Sequence, residues 1–414
     1  MLKKIDSFGK NVIIVLAGTS LLNFFNLVCQ LLIAHRFNPA DFAAFNSLLA
    51  LCVIIAAPFG TLQPAITKYI AEFHARGETE KIRVFLSALL KISGLIGVLI
   101  LCAFYFTSPF IAEKFKLSSV FPVYMLGGLI SLACVMPVFS GAVQGRELFG
   151  WFSAVSVTGG LLKLGLIFIF IILGFGITGA IGAFLIASAI SILLFFPPLK
   201  DYFVPPAHKT KINFKELFFY LVPVAVSYFC FMVIVSSDMI MVKYYFSAEE
   251  SGTYAVAQVI GKIFMFLPGA INMVMFPRTS SLHAKNLDTT VILKRSLLYA
   301  AGLCGIAAVF YNLWPQFSLN VLTGKAGYES AALGRMFSFS MTLFALVWIM
   351  VMYFLSKRDF RFISWLVLLT FAQISAIVFF HATLFQVQAV LCAVAILLFC
   401  VYSVIFFSAP KRKR

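Results

Sequence analysis

Phe37-Asn38-Pro39-Ala40-Asp41 is answered 209 residues later by Phe246-Ser247-Ala248-Glu249-Glu250. In each stretch an aromatic residue closes one apolar run, and a polar-then-acidic turn opens the next. The same offset carries Gly60 to Gly269, His74 to His283 and Ala75 to Ala284. One residue out of register, it carries Gly94 and Gly97 to Gly302 and Gly305. Each pair falls at the same place in a hydrophobic segment or connector. The 414-residue chain therefore reads as two tandem copies of one membrane bundle, related by an axis along the membrane normal. Parallel repeats of this kind place a substrate site between the halves and work by rocking one half against the other. The expected class is a transporter.

Composition points the same way. The chain is 62% hydrophobic and only 11% charged, with 48 Phe and a mean hydropathy of +1.01. A soluble protein of this size could not hide so much apolar surface. Crossing the hydrocarbon core takes about 20 apolar residues in a helix. Twelve segments qualify, beginning near residues 11, 43, 84, 119, 152, 176, 217, 254, 296, 332, 362 and 387. The first is too long for a signal-peptide core and has no small-residue cleavage site after it. The apolar runs lack the alternation of barrel strands. The fold expected is all-α and polytopic, with about twelve transmembrane helices in two pseudo-symmetric six-helix lobes around a central cavity. The boundaries expected are a first lobe over 1–199, a cytoplasmic linker over 200–215 with Pro205-Pro206 at its centre, and a second lobe over 216–414. Phe214-Lys215-Glu216-Leu217 is read as a short interfacial helix entering the second lobe.

A net charge of +17 suggests nucleic acid until its placement is mapped. With the amino terminus inside, the inner segments hold most of the basic residues. The outer connectors hold only Arg36, Lys114, Lys116, Lys243 and Lys325. That is a positive-inside pattern, so both termini are expected in the cytoplasm. Basic inner connectors suit anionic headgroups, so membrane lipids account for the charge and no nucleic-acid partner is expected.

Two familiar patterns are set aside. Gly174-Phe175-Gly176-Ile177-Thr178-Gly179 fits a dinucleotide fingerprint, but it joins two membrane-length apolar runs instead of following a strand. Its small residues are read as helix-packing contacts. The eight cysteines lie in apolar segments without ligand spacing, so neither disulfides nor a metal site is expected. No cofactor is implied. His35, His74, His208, His283 and His381 are scattered, and no carboxylate pair sits at hydrolase spacing, so no catalytic residues are assigned.

The remaining chemistry lies with polar groups held in the membrane, which usually face a bundle interior or a wet cavity. Lys163 lies about eleven residues into its segment, roughly 16 Å deep at 1.5 Å per residue. Lys262 lies at similar depth in the eighth segment. One amine thus comes from each lobe, and a pair facing a shared cavity suits an anion such as a pyrophosphate. The competing reading is an internal ion pair or an amine snorkelling along lipid. Asp238 is the one carboxylate well inside a hydrophobic segment. Three roles are open to it: pairing with Lys262, binding a proton or cation that couples transport, or packing beside Ser236 and Ser237. Arg36, Lys91 and Arg335 are accessory charges closer to an interface. Asn23, Asn26 and Gln30 with Ser20 make a polar face on the first helix, and Tyr254, Gln258 and Lys262 make one on the eighth. Both stripes are read as cavity lining, the alternative being interhelical glue.

At these residues the chain resembles a known group. Arg36-Phe37-Asn38-Pro39-Ala40-Asp41-Phe42, with Phe45-Asn46, looks like the loop after helix 1 in the oligosaccharide flippases of the multidrug/oligosaccharidyl-lipid/polysaccharide exporter superfamily. Asp238 through Phe246, closing with Glu250-Ser251-Gly252-Thr253-Tyr254, is similar to that family's passage from helix 7 to helix 8. Gln144-Gly145-Arg146 and Gly176 through Gly182 fit in order. The resemblance implies two six-helix lobes forming a V around a cationic central cavity. It also implies translocation of a polyprenyl-pyrophosphate-linked oligosaccharide from the cytoplasmic to the outer leaflet of a bacterial inner membrane, with polysaccharide-assembly proteins as partners. Extra carboxy-terminal helices of the related lipid II flippases are missing, which argues against lipid II as cargo. A multidrug extruder of the same superfamily would favour acidic cavity residues. A membrane glycan polymerase or ligase would present a large basic outer loop.

Overall fold

The computed structural model describes residues 7–202, 214–284 and 287–408, and the described residues are almost entirely helical. The first repeat contains α1 (Ser7–Arg36), α2 (Pro39–Gly60), α3 (Leu62–Ala75), α4 (Thr79–Lys114), α5 (Phe121–Gly145), α6 (Phe149–Ile172) and α7 (Gly176–Phe195). A 3-10 turn, Pro197–Tyr202, follows. The second contains α8 (Phe214–Tyr245), α9 (Ala248–Phe266), α10 (Gly269–Ala284), α11 (Thr290–Leu313), α12 (Pro315–Thr323), α13 (Tyr328–Ser356), α14 (Phe362–Phe379) and α15 (Leu384–Ser408). The helix order repeats, with α11 and α12 together standing where α4 stands.

Among the described residues, eleven spans are long and apolar enough to cross a membrane. The twelfth expected span is α9, whose 19 residues carry Glu249, Glu250 and Lys262. Phe214-Lys215-Glu216-Leu217 is not a separate interfacial helix but the first turn of α8, because nothing breaks the helix before Tyr245. Most of the expected linker, residues 203–213 with Pro205-Pro206 and His208, lies outside the described residues.

The repeated turn has a repeated cause. At α2, Asn38 Oδ1 accepts from the Asp41 backbone N–H at 2.7 Å, and Asn38 Nδ2 donates to the Asp41 carboxylate at 2.8 Å. At α9, Ser247 Oγ accepts from the Glu250 N–H at 3.2 Å, and the Glu250 carboxylate accepts from the Ser247 N–H at 2.9 Å. Each cap satisfies the N–H three residues on, and the Ser247–Glu250 capping box satisfies the Ser247 N–H as well. The ends repeat as well. Glu147 after α5 and Arg358 after α13 both take left-handed φ, at 58° and 56°. The N–H one residue further on returns to Val143 O and Phe354 O, at 3.1 and 3.0 Å. Both are helix stops of the Schellman type without glycine.

The helices form two compact units. Unit 1 holds residues 1–37 and 55–225, and unit 2 holds residues 38–54 and 226–414. The division departs from the linear lobes at two points: the first part of α2 counts with the second unit, and the first part of α8, up to residue 225, counts with the first. In unit 1, α5 packs against α3, α4 and α7, while α1 lies on α6. In unit 2, α13 packs against α9, α11 and α15. There Gln373 and Thr370 of α14 donate to the Ile234 and Cys230 carbonyls of α8. The central helices α5 and α13 have the most buried spans, 72% of each. Within unit 2 the starts of α2 and α9 meet so closely that a Cβ on Gly252 would stand 2.5 Å from Pro39 Cβ. Only glycine permits that approach.

Candidate functional site

Each unit carries membrane-embedded polar groups, and the two sets are built differently. In unit 1, Lys163 projects from α6. Its Nζ donates to Asn26 Oδ1 on α1 and lies 4.7 Å from the ring centroid of Phe184 on α7. Both partners are neutral. The acids between α3 and the 3-10 turn, Glu72, Glu78, Glu80, Glu113, Glu147 and Asp201, stand at helix ends and connectors, so none of these offsets the charge from within the bundle. Lys163 lines a cavity of about 180 Å³ bounded by α1, α5, α6 and α7. Ser156, Ser188, Ser191 and Phe184 share its wall. The Ser156 and Ser191 hydroxyls donate to the carbonyls of Phe152 and Ala187, each at 2.8 Å. Of the three expected α1 residues, Asn26 is joined to Lys163, Asn23 is exposed and Gln30 is half-buried. Arg36, Lys91 and Arg335 have exposed side chains.

In unit 2 the centre is Asp238 of α8, 0% exposed. Its Oδ2 accepts from Tyr254 OH at 2.9 Å, and Gln258 Nε2 donates to Oδ2 at 3.1 Å. Tyr254 OH also lies 3.2 Å from Gln388 Oε1 of α15, and Gln388 Nε2 donates to Ser340 Oγ of α13 at 2.7 Å. One hydroxyl proton thus faces two acceptors. It can serve only one of them at a time. Beside this network, Ser237 Oγ and Gln373 Oε1 are buried without a hydrogen-bond partner among the described residues.

Lys262 takes a separate path. Its Nζ donates to Asn46 Oδ1 on α2 at 2.6 Å, and the Asn46 amide is fixed by donating to Phe42 O at 2.8 Å. The described ion pairs lie elsewhere, so Asp238 and Lys262 do not form the direct pair that was one of three expectations. Tyr254 and Gln258, expected to line a cavity, are buried and hold α9 to α8 through Asp238. The other correction is Lys243. Read from hydropathy as an outer-connector residue, it lies in α8 and is 1% exposed, with Nζ 3.5 Å from Ala40 O of α2. Gln373 and Gln388 escaped the sequence reading, although lone amides inside long apolar helices carry the same signal as Lys163. Among the described residues no group of three or more His, Cys, Asp or Glu could hold a metal ion.

The described residues thus form two helical units, each holding polar groups among its candidate membrane spans. Known structures share this fold. A multidrug resistance MATE family transporter of the MOP superfamily, inward-facing, aligns with TM-score 0.74 at 16% identity over 96% of this chain and 99% of its own. The lipid II flippase MurJ, inward closed, aligns with TM-score 0.70 at 14% identity over 96% and 88%. A MOP superfamily transporter from Pyrococcus furiosus aligns with TM-score 0.63 at 16% identity over 97% and 95%. At these identities the likeness establishes the fold. No curated protein matches the chain. Residues 8–283 match the polysaccharide biosynthesis protein family, and the chain belongs to that family.

Proposed function

We propose that this transporter flips a polyprenyl-pyrophosphate-linked oligosaccharide from the cytoplasmic to the outer leaflet of a bacterial inner membrane, by alternating access. The observation that carries this reading is the sign of the embedded charge. Lys163 and Lys262 are each held by an asparagine oxygen instead of a carboxylate. A lysine left so in hydrocarbon costs at least about 2.5–3.5 kcal/mol, and an anionic cargo lowers that cost. Lys262 engages the anionic part of the carrier. Asp238, held by the neutral donors Tyr254 and Gln258, supplies the coupling site for a proton or a cation. Both termini lie in the cytoplasm, and polysaccharide-assembly proteins are the expected partners. The flippase MurJ among the structural neighbours has lipid II as its named cargo. The test is deletion followed by leaflet-resolved lipid analysis. Lipid-linked oligosaccharide accumulates on the cytoplasmic side if the reading is right; unchanged distribution together with sensitivity to cationic drugs would make the chain a multidrug extruder instead.

A further inference from the structure

The cavity in unit 1 has a hydrogen-bonding polarity of its own. Ser156 and Ser191 commit their protons to carbonyls on their own helices, so what they turn to the cavity is acceptor lone pairs. Ser188 lines the same wall and makes no hydrogen bond among the described residues, so it can accept or donate. Lys163 is the one cation of the described wall, with one donor on Asn26 and its charge over Phe184. A phosphate group offers acceptors only. It would meet two committed hydroxyls as acceptor against acceptor, and a diphosphate would exceed the single positive charge. A hydroxyl-bearing ring meets the polar groups in kind: its O–H groups donate to the serines, its oxygens accept from Lys163, and its C–H faces suit the apolar wall of Leu22, Met136 and Val155. The volume of about 180 Å³ equals about six waters at ≈ 30 Å³ each. That is room for one small ring within the pocket.

We infer that the pocket of Lys163, Ser156, Ser188, Ser191 and Phe184 is a subsite for a single sugar residue, not for the carrier's diphosphate. The inference rests on the flippase reading for the source of the sugar, and it leaves the diphosphate to Lys262. The test uses the purified full chain in lipid nanodiscs. Saturation-transfer NMR is recorded with methyl β-glucoside and methyl N-acetyl-β-glucosaminide as probes. Phosphorus line broadening is recorded with sodium pyrophosphate. Transfer to at least one glycoside is expected, with loss in Lys163→Gln and in Ser188→Ala combined with Ser191→Ala. Pyrophosphate broadening is expected to survive the serine changes. Ser156→Ala, on a different helix, gives an independent variant, and thermal melting checks that each one folds. No transfer to either glycoside, or transfer indifferent to the serines, would overturn the subsite. So would pyrophosphate broadening that vanishes in Lys163→Gln without any sugar signal. Binding is read here without transport, so a deletion that causes no accumulation of lipid-linked oligosaccharide would sink the flippase reading and leave the subsite to these spectra.

Discussion

The two units solve the same problem, a charge at membrane depth, in opposite ways. In unit 1 the charge is positive and lines a cavity, and its neighbours are an amide oxygen and an aromatic face. In unit 2 the carboxylate of Asp238 is sealed, with Tyr254 and Gln258 donating to it and a chain of polar groups leading on to Ser340. The helix order, the caps and a lysine held by an asparagine oxygen repeat, yet the carboxylate network of unit 2 does not. A duplicated scaffold therefore fixes where polar groups can stand without fixing what they do. An open site can exchange ligands, whereas a sealed one can exchange at most a proton or a small ion.

The sharpest way to break that contrast is Asp238→Ala. If the network is sealed, removing its acceptor strands the buried Gln258 amide at about 1–3 kcal/mol, while the Tyr254 hydroxyl keeps Gln388 as its acceptor. The expected outcome is a large fall in melting temperature and in membrane abundance. Asp238→Asn keeps the shape and is expected to fold, while losing dependence on the ion gradient; unaltered gradient dependence would make the network purely structural. Next in size is Lys163→Gln, where an open site predicts little change in melting but about a tenfold loss of glycan export, equal to about 1.4 kcal/mol of binding. A melting loss as large as that of Asp238→Ala would show that Lys163 is a structural group too. Arginine at position 163 should be milder than glutamine.

A smaller effect tests the symmetry instead of the difference. Asn38→Ala and Ser247→Ala each remove one of the paired caps and should each cost about 1 kcal/mol in thermal stability. Unequal losses would mean that the two turns share sequence but not load. Smallest is the connector after α13. Arg361 Nε and a terminal guanidinium nitrogen grip Asp359 at 2.9 and 2.7 Å, and these bonds hold its carboxyl below the usual range. A depressed folded value means stability that is present above the unfolded value and lost as pH falls through the folded one. Because Arg361 is half exposed, Asp359→Asn should cost under about 1 kcal/mol at neutral pH. The difference from wild type should vanish at pH below the carboxylate range.

Much of the scaffold was legible because its signals are local. The turn at Asn38 and its copy at Ser247 stand in the sequence as a polar residue three places before an acid, and each forms the cap that such spacing allows. Lys163 was legible by depth alone. What escaped the sequence depends on partners far along the chain. Lys243 reads as a connector residue until Ala40, some two hundred residues earlier, arrives beside it. Gln258 reads as cavity lining because its stripe is polar, and only the position of Asp238 on α8 turns it inward. The roles of Gln373 and Gln388 depend on the packing of α14 and α15, which hydropathy cannot rank.

One helix ties the copies together in the chain itself. The first part of α2 is encoded in the first repeat and counts with the second unit, where Asn46 receives Lys262 and Ala40 stands beside Lys243. A gene cut at the midpoint would therefore not yield two self-sufficient products. The downstream fragment would lack the Asn46 acceptor of Lys262, and the upstream fragment would carry the part of α2 that counts with the other unit. The duplication has become a loan between the copies, with part of one repeat's helix lent to the unit of the other.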